Sequence, residues 1–551
     1  MLAERYAARA VAPARARGSR RAGGRAGLAA AVGRVPRCAA RFETTASGHA
    51  VRSVSTRASG PVVDAAFGVE GGGYLEVDGG ARLEGVARVG GAKNAVLALL
   101  AGALACREPV TIRGVPLLKD VMSMIDVLRS VGARVHVGAE GPGTVTVDAR
   151  ALDSHSPDPA AVEKLRASFF AAGPILARLG RVEMPLPGGC AIGARPVDLH
   201  LQGFEALGAD VQVTPEGTVI ATATGPGGRL RGAGVVALRF PSVGATHAIV
   251  AAAALAEGDT IIEGAAAEPE VADLAAMLNA AGANITGAGT PTVRIRGVGG
   301  AGDRGGDRGG DRGGDVSGLR GCVHDAIPDR VEAGTFLVAA ACTGSTLELY
   351  PVVSAHLTAT IDVLRAAGCD ARFESGPGPR GTAAWASSSA SGRGRSLGAP
   401  PLERLVLTPP AGGARGLSAV DFTTRPYPGV PTDMQPQLCV LAATARGTST
   451  IRETVFENRF SHVEELAKMG CDARRGADER EVVIRGTGGE ALRAADVRGS
   501  DLRASAALVL AGLVADGTTR VEGLRHLDRG YERLDEKLAG LGAIVRRVEP
   551  P

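Results

Sequence analysis

The sequence has few aromatic residues and no cysteine motif. Only 3% of its 551 residues are Phe, Trp or Tyr, which argues against one large aromatic-rich core. The 8 cysteines are scattered singly, so neither a C-x-x-C zinc pair nor a dense disulfide framework is indicated, and a reducing compartment fits. Glycine is abundant instead, with 79 residues. This is about twice the average share of ~7%, but without the G-X-Y period of collagen.

Residues 1–60 lack acidic residues almost entirely. They contain twelve Arg, no Lys and two acids (Glu4 and Glu43), while the rest of the chain carries a net charge of −6. The longest apolar stretch, Leu28–Val32, is too short for a signal-peptide core or a membrane span. This composition predicts a disordered transit peptide that is removed on entry into the chloroplast stroma, with the mitochondrion as the alternative. A disordered basic tail that contacts nucleic acid or anionic lipid is the other interpretation.

One unit recurs six times in the remaining chain. An amphipathic stretch ends at a glycine that precedes Ala or Cys, and this glycine is Gly132, Gly208, Gly282, Gly368, Gly470 and Gly542. The order of amphipathic residues, glycine and apolar residues predicts a helix with a glycine C-cap, followed by a strand. The last of these helices is predicted over Glu532–Leu538.

A second predicted helix precedes each amphipathic one and consists almost entirely of small apolar residues. A helix that is apolar on all sides is buried. The six segments are Ala95–Ala105, Ala167–Ala177, Ala245–Ala256, Thr335–Ala341, Met434–Ala445 and Ala504–Ala515. Their Ala and Gly content indicates closely packed helices, which explains the excess of glycine. The body is therefore predicted to be α/β, with six βα units. Two low-complexity inserts, Gly299–Gly321 and Gly376–Pro401, interrupt it and read as solvated loops.

Two glycine-rich phrases interrupt the repeat. Gly90-Gly-Ala-Lys93-Asn94 lies directly before the first buried helix, where free N–H groups, the helix dipole and a lysine favour an anion. It does not match a P-loop, and ordinary capping remains the alternative. The other phrase places Cys190 among several glycines and near Arg195. A neighbouring cation favours the thiolate, so Cys190 is predicted to be reactive rather than structural.

Polar residues also stand at the starts of other buried helices. Asp433 precedes Met434–Ala445, a position that the helix dipole alone would explain. Arg166 and Arg503 each open a nearly apolar helix, where a cation opposes the dipole unless an anion is bound. Phosphate or carboxylate recognition is therefore the better interpretation. The residues alone thus predict an enzyme on a repeated βα scaffold that handles an anionic substrate with a cysteine and an aspartate.

The same phrases together resemble a known enzyme family. They are GAKNA, LRASFF, PGGCAIGARPVDLH, FPSVGAT, PTDMQ, TVFENRF, DLRASAALVLAG and HLDRGYERLDEKL. They are similar to those of the UDP-N-acetylglucosamine 1-carboxyvinyltransferases, enolpyruvyl transferases with the EPSP synthase-like fold, and the resemblance runs from about Tyr74 to Val548. It implies two domains of three βαβαββ-type units each, arranged as pseudo-threefold inside-out α/β barrels with the active site between them. Domain one would comprise 73–93 plus 328–548, and domain two 94–327.

The resemblance implies transfer of the enolpyruvyl group of phosphoenolpyruvate to the 3′-hydroxyl of UDP-N-acetylglucosamine. Phosphate leaves by addition and elimination, in the first committed step of peptidoglycan synthesis. The implied catalytic residues are Cys190, Asp433, Lys93 and Arg503. The implied phosphoenolpyruvate ligands are Lys93, Asn94, Arg195, Arg503 and Arg529. The implied ligands of the nucleotide sugar are Arg166, Arg195, Pro196, Val197, Asp198, Leu199, Ser242, Val243, Gly244, Asp433 and Val455.

In those roles, Cys190 would protonate the methylene carbon and Asp433 would accept the proton of the sugar hydroxyl. Neither a cofactor nor a metal is expected, nor is a nucleic-acid or membrane partner, and the protein is expected to be a monomer. One departure concerns the phrase Arg239-Phe-Pro, where some members carry a lysine that touches the nucleotide. The shikimate-pathway enolpyruvyl transferase is the nearest alternative, and a non-catalytic binder of nucleotide sugars is another.

Overall fold

The structure is a computed structural model that describes residues 73–187, 196–299, 318–375, 400–476 and 478–549. The predicted transit peptide lies outside these residues, and so do Cys190, Arg195 and most of the two predicted inserts. In the part of the chain that the structure describes, no helix is both long enough and apolar enough to cross a membrane.

Buried helices occur in all six predicted places, usually beginning a few residues before the predicted start. They are Lys93–Ala103, Ala172–Leu179, Val243–Ala253, Arg330–Thr343, Gln435–Thr444 and Leu502–Leu513. The prediction of one continuous helix over Ala167–Ala177 was wrong, because a 3₁₀ helix, Arg166–Ala171, precedes Ala172–Leu179. Pro174 explains the break. Its ring would clash with the carbonyl four residues earlier in a continuous α-helix, whereas the first turn of a helix tolerates it.

Six amphipathic helices follow the buried ones. They are Lys119–Ser130, Asp198–Ala206, Pro269–Ala280, Ser354–Ala366, Ser461–Lys468 and Leu534–Ala539. All six glycines that follow them have positive φ, between 84° and 103°, which confirms the predicted C-caps. The last helix starts at Leu534, not at Glu532 as predicted, because Arg533 has a left-handed backbone with φ 51°. Smaller helical segments are Pro159–Lys164, Pro226–Gly228, Gly413–Gly416, Thr432–Met434 and Leu524–Leu527.

The strands of the described residues form six main sheets. The strands are given in their order across each sheet. The first sheet consists of Arg181–Pro185, Thr218–Ala223 and Ala209–Val213, and the second of Asn284–Thr286, Thr292–Val298, Glu257–Glu263 and Gly234–Ala237. The third consists of Val323–Asp325, Val110–Arg113, Thr144–Asp148 and Arg134–Val137. The fourth sheet consists of Asp496–Arg498, Thr518–Glu522, Tyr74–Asp78 and Val545–Val548, and the fifth of Asp370–Ser375, Glu403–Thr408, Leu347–Val352 and Val86–Arg88. The sixth consists of Phe422–Thr423, Thr448–Arg452, Glu481–Arg485 and Asp472–Arg475. A short pair, Leu492–Arg493 and Ala515–Asp516, is separate. Six units of helix and sheet confirm the predicted α/β class.

Five of the sheets have one parallel pair at an edge, in which the strand after one buried helix pairs with the strand before a buried helix. In three of them the two strands flank the same helix. In the other two the edge strands are exchanged. Val86–Arg88, which precedes the first buried helix, pairs with Leu347–Val352. Val323–Asp325, which precedes the fourth, pairs with Val110–Arg113. The chain therefore crosses twice between two halves of the molecule.

Two large hydrophobic clusters mark these halves. The first core extends from Val96 to Ala326. The second core combines residues of 75–89 with residues from Val331 to Val545, because the N-terminal strand Tyr74–Asp78 pairs with Thr518–Glu522 and Val545–Val548. The domain boundaries at 93/94 and 327/328 stay a prediction, but the two cores and the two crossings are observed.

Glycine lets the buried helices approach one another. A Cβ atom on Gly173 would lie 2.2 Å from the carbonyl oxygen of Ala248 in the neighbouring helix. Any side chain at this position would therefore clash with the backbone of that helix. In the second core, the three buried helices Arg330–Thr343, Gln435–Thr444 and Leu502–Leu513 pack pairwise against each other. Close packing of helix backbones thus explains the glycines within the buried helices and fits the shortage of aromatic residues, but 29 other glycines have positive φ, so the predicted single cause of the glycine excess is too narrow.

Candidate active site

The predicted site residues lie at the starts of the buried helices. Lys93 and Arg503 are the first and second residues of their helices, and Ser242 caps the helix that begins at Val243. Arg166 opens the 3₁₀ helix before Ala172, and Asp433 lies in the 3₁₀ turn before Gln435. Helix N-termini expose unpaired N–H groups and carry the positive end of the dipole, so this arrangement favours an anionic ligand.

Asp433 is held between two buried arginines. Its Oδ2 lies 2.9 Å from Nη2 of Arg503, and its Oδ1 lies 3.0 Å from Nη2 of Arg459. Both arginines are only 2% exposed. Charge-assisted hydrogen bonds of this kind orient the carboxylate. The predicted catalytic pair Asp433 and Arg503 is therefore brought into direct contact, and Arg459 joins it.

The charge state of Asp433 follows from this setting. Burial alone would raise the pKa of its carboxyl. Three cations outweigh burial and hold this pKa well below its usual range, namely Arg503, Arg459 and Lys93. Asp433 is therefore ionised at neutral pH and can accept a proton only from a group that is brought into contact with it.

Arg503 retains unused hydrogen-bonding capacity. Asp501 caps its helix by accepting from the backbone N–H groups of Arg503 and Ala504. The guanidinium donates to Asp433 through Nη2, but Nε and Nη1 are buried with no hydrogen-bond partner among the described residues. The sequence predicts an anion beside the cation at this helix start, and the Asp433 carboxylate supplies one negative charge. The two remaining N–H groups can bind a further anionic group.

Lys93 and Arg529 share another carboxylate. Nζ of Lys93 lies 3.2 Å from Oδ2 of Asp120, and Nε of Arg529 lies 2.7 Å from Oδ1. Asp120 belongs to the first core and Arg529 to the second, so the bridge joins the two halves at the site. The backbone N–H of Lys93 also donates to Asp329, at 3.2 Å. Asn94, the next residue, is half-buried in the same helical turn.

Three functional candidates were absent from the sequence prediction of the site, namely Asp120, Asp329 and Glu453. Asp120 and Asp329 lie at helix starts, where an acid reads as an ordinary partner of the dipole or as an N-cap. No sequence signal separates that role from pairing with Lys93. Asp329 is the N-cap of its helix, as Asp501 is in a sister unit, whereas Asp433 lies in the 3₁₀ turn before its helix.

A second group of predicted residues lies in the first core. Burial, and to a smaller extent the charge of Arg166, lowers the pKa of His200 to about 4, so His200 is neutral at neutral pH. A Cβ atom on Gly244 would lie 2.9 Å from Nε2 of His200, so only glycine fits beside this ring. Ser242 caps the same helix by accepting from the N–H of Ala245, at 3.3 Å.

The helix Asp198–Ala206 brings further predicted residues to this group. Asp198, its first residue, pairs with the exposed Arg239. This ion pair involves the phrase in which the sequence departs from the family pattern. Val197 and Leu199 are buried, whereas Pro196 is exposed. Arg166, Asp198, Ser242 and Gly244 thus surround one polar surface of the first core.

Val455 lies on the side of Asp433. Glu453 is fully buried, and its Oε1 accepts from the backbone N–H groups of Val455 and Phe456, at 2.7 and 3.1 Å. Its Oε2 accepts from the Thr432 hydroxyl, at 2.9 Å. Glu453 therefore ties the turn that contains Val455 to the turn that contains Asp433.

Buried contacts also join the two cores beside the site. Nε of Arg330 donates to Oε1 of Glu270 at 3.1 Å, and both side chains are buried. The guanidinium also lies over the ring of Tyr427, 5.5 Å from its centre. The backbone N–H of Tyr427 donates to Glu268, at 3.3 Å. The fourth buried helix, Arg330–Thr343, thus begins with a residue that forms an ion pair between the two cores. Other buried helices have candidate site residues at the corresponding place.

The arrangement combines an ionised carboxylate with a group of cations. Lys93, Arg503 and Arg529 can neutralise a phosphate and a carboxylate, and Asp433 can accept a proton. Cys190 and Arg195 lie outside the described residues, so their predicted roles stay predictions. The chain segments on either side of them, 181–187 and 196–206, belong to the first core.

Comparison with known proteins agrees with this architecture. The EPSP synthase (3-phosphoshikimate 1-carboxyvinyltransferase) family model matches residues 77–538. UDP-N-acetylglucosamine 1-carboxyvinyltransferase of Gloeobacter violaceus is 45% identical over 477 residues, which cover 87% of this chain and 91% of the relative. The enzyme of the same name from Prochlorococcus marinus is 43% identical, with 87% and 96% covered.

Solved structures show the same fold. The enolpyruvyl transferase NikO from Streptomyces tendae has a TM-score of 0.68 and 26% identity, covering 87% of this chain and 99% of that one. An EPSP synthase from Acinetobacter baumannii has a TM-score of 0.61 at 19% identity, with 87% and 100% covered. The second likeness concerns the fold alone. The chain belongs to the EPSP synthase family of enolpyruvyl transferases and, within it, to the UDP-N-acetylglucosamine 1-carboxyvinyltransferases.

Proposed function

We propose that this protein transfers the enolpyruvyl group of phosphoenolpyruvate to the 3′-hydroxyl of UDP-N-acetylglucosamine and releases phosphate. The observation that carries the proposal is the contact between Asp433 and Arg503, beside the cations Lys93 and Arg529. The relatives that share 43–45% identity with the chain carry the name of this activity. The first committed step of peptidoglycan synthesis would be its place in metabolism.

The reaction divides into an addition and an elimination. In the addition, Cys190 protonates the methylene carbon of phosphoenolpyruvate. The sugar oxygen then bonds to C2 and its proton passes to Asp433. In the elimination, the new methyl group returns a proton to the Cys190 thiolate, the double bond re-forms, the C2–O bond to phosphate breaks, and the proton held by Asp433 leaves with the phosphate. Lys93, Arg503 and Arg529 neutralise the phosphate and carboxylate throughout, because preorganised cations stabilise charge that develops in a transition state.

The nucleotide sugar would lie between the two cores. Arg166, Asp198 and Ser242 line the polar surface of the first core that could receive the nucleotide. Asp433 and Val455 approach from the second core, on turns that Glu453 joins. This placement brings the sugar hydroxyl to the carboxylate that must accept its proton.

The first test compares acceptors. We expect the purified chain from about residue 60 to release phosphate from phosphoenolpyruvate with UDP-N-acetylglucosamine and not with shikimate 3-phosphate. Phosphate release with shikimate 3-phosphate alone would identify the shikimate-pathway reaction. Phosphate release with neither acceptor would support the alternative that the protein is a non-catalytic binder of nucleotide sugars. Cys190→Ser serves as the matched variant, since loss of a general acid lowers kcat/KM about 10²–10⁴-fold. Full activity of that variant would remove Cys190 from its proposed role.

For the leader we propose a transit peptide that directs the protein to the plastid stroma, supported by the charge of +10 in residues 1–60. The mature protein is then expected to begin near residue 60, and to act as a monomer without nucleic-acid or membrane partners. Sequencing of the mature N-terminus from isolated organelles tests this. A mature protein that retains Arg5–Arg41 would instead support the basic-tail interpretation.

A further inference from the structure

Three side chains from three segments meet through hydrogen bonds in the middle of the second core. The Tyr531 hydroxyl lies 2.8 Å from Oγ1 of Thr335, and Nε2 of Gln437 lies 3.0 Å from the hydroxyl and 3.1 Å from Oγ1. Thr335 and Gln437 belong to two of the packed buried helices. All three residues are at most 2% exposed. We refer to them as the Tyr531 network.

The donors of this network can be assigned. The Thr335 hydroxyl donates to the carbonyl oxygen of Val331, at 2.8 Å. Having one proton only, it must accept from the other members. The Tyr531 hydroxyl therefore donates to Thr335, and the Gln437 amide donates to both hydroxyls. Each hydroxyl proton of the network thus has one defined acceptor, and these hydrogen bonds hold the ring of Tyr531 in place.

The fixed ring lies beside Arg503. The guanidinium carbon of Arg503 is 5.3 Å from the centre of the Tyr531 ring, within the range of a cation–π interaction. Both side chains are buried, and such contacts are strongest when water is excluded. Asp433 holds the Nη2 end of the guanidinium, and the guanidinium carbon lies over the ring. Among the described residues, Nε and Nη1 have no hydrogen-bond partner.

We propose that Tyr531 is a positioning residue for anion recognition, acting through Arg503. This inference rests on the proposed function, in which Arg503 binds phosphoenolpyruvate. Asp433 alone would leave the guanidinium free to rotate about one contact. Tyr531 supplies the second constraint through its ring and through the interaction of its hydroxyl with the guanidinium, while Nε and Nη1 have no geometric hydrogen-bond partner among the described residues and remain for the ligand. The Tyr531 network thus preorganises a cation whose donors are reserved for the substrate.

A purely structural role makes a different prediction. A buried tyrosine that only fills the core would alter stability when replaced, and would affect both substrates alike. A positioning role concerns the phosphoenolpyruvate site alone. Tyr350 offers a matched control, because it is also buried in the second core, at 2% exposure. It lies on the strand Leu347–Val352, and no contact joins it to Arg503 among the hydrogen bonds and ring contacts of the described residues.

The experiment compares Tyr531→Phe, Tyr531→Leu and Tyr350→Leu in the otherwise intact chain. Binding of phosphoenolpyruvate is measured by calorimetry without an acceptor, and the KM values for both substrates by phosphate release. We expect Tyr531→Leu to weaken phosphoenolpyruvate binding and to raise its KM about tenfold or more, with the KM for UDP-N-acetylglucosamine changed less than about twofold. Tyr531→Phe keeps the ring but removes the hydroxyl bonds that hold it, so its KM for phosphoenolpyruvate should lie between those of the wild type and Tyr531→Leu. Tyr350→Leu should leave both KM values unchanged.

Three results would overturn the proposal. The first is that folded Tyr531→Leu binds phosphoenolpyruvate as well as the wild type. The second is that Tyr531→Leu and Tyr350→Leu lose phosphoenolpyruvate affinity equally. The third is that Tyr531→Phe loses as much phosphoenolpyruvate affinity as Tyr531→Leu. Should Tyr531→Leu fail to fold, Tyr531→Met replaces it, since methionine fills irregular space without a π face. A wild-type protein that binds phosphoenolpyruvate but does not transfer it to UDP-N-acetylglucosamine would refute the proposed function and leave the role of Tyr531 open to the same calorimetric test.

Discussion

Replacing Asp433 with Asn is expected to lower kcat/KM for enolpyruvyl transfer by about 10²–10⁴, the contribution typical of a positioned general base. Asparagine keeps the shape of the side chain, but its amide cannot take the proton of the sugar hydroxyl. The amide NH₂ would also face the guanidinium of Arg503 or Arg459, both of which donate hydrogen bonds to Asp433. Steady-state phosphate release with both substrates varied measures the loss, and the KM for phosphoenolpyruvate should change far less than kcat.

Asp535→Asn provides a control for loss of one acidic charge in the same core, because Asp535 pairs with Arg547 and not with the cations of the site. It should retain wild-type kcat/KM. The pH profile gives a further check. Since the pKa of Asp433 is held well below its usual range, this group is already ionised near pH 5. The free enzyme should therefore show no acid limb from Asp433 above that pH. Activity of Asp433→Asn within about threefold of the wild type would exclude the base role.

Much of the fold follows from local chemistry in the chain. The six glycines from Gly132 to Gly542 end helices because only they adopt positive φ without strain, and this pattern is visible in the residues themselves. Burial of the alanine-rich helices follows equally from their composition. Boundaries were less predictable. Pro174 broke one helix and Arg533 shortened another, since a single residue can alter a boundary without changing the hydrophobic pattern.

The candidate site was predictable only in part, for a physical reason. Residues such as Lys93 and Arg503 stand out locally because a cation at the start of an apolar helix is unfavourable by itself. Asp120 and Tyr531 carry no such local signal. Their significance depends on partners 27 and 28 positions away, Lys93 and Arg503, and in the case of Asp120 also on Arg529 in the other core. Only the contact between Asp120 and Arg529 depends on how the two halves meet, whereas the other two depend on side-chain packing within one unit, and the repeat pattern specifies neither.

The ion pair between Glu270 and Arg330 should be the most sensitive contact between the two cores. Glu270→Gln would leave the buried Arg330 guanidinium without its main counter-charge. Removing one partner of a buried pair typically costs about 3–5 kcal/mol. For cooperative units of 150–250 residues, about 2–4 °C of Tm accompany each kcal/mol, so a fall of about 6 °C or more is expected. Differential scanning calorimetry at pH 7 measures it.

The choice of pH follows from the direction of the shift. Burial raises the pKa of Glu270, but Arg330 outweighs burial and holds it below its ordinary value. A depressed carboxyl pKa contributes stability above the unfolded pKa of about 4.3, and that stability is lost as the pH falls through the folded value. The difference between wild type and Glu270→Gln should therefore be complete at pH 7 and shrink toward pH 3.

Two further variants separate a buried interdomain pair from charge loss in general. Asp259→Asn breaks a pair with Arg296 in the first core whose side chains are 67% and 72% exposed, and exposed pairs contribute at most about 1 kcal/mol. The double replacement Glu270→Met and Arg330→Met removes both charges and should recover most of the lost Tm, because the cost arises from an unpaired buried charge and not from the absence of a pair. If the double variant is as unstable as Glu270→Gln, packing around Arg330 and Tyr427, and not the ion pair, joins the two cores at this point.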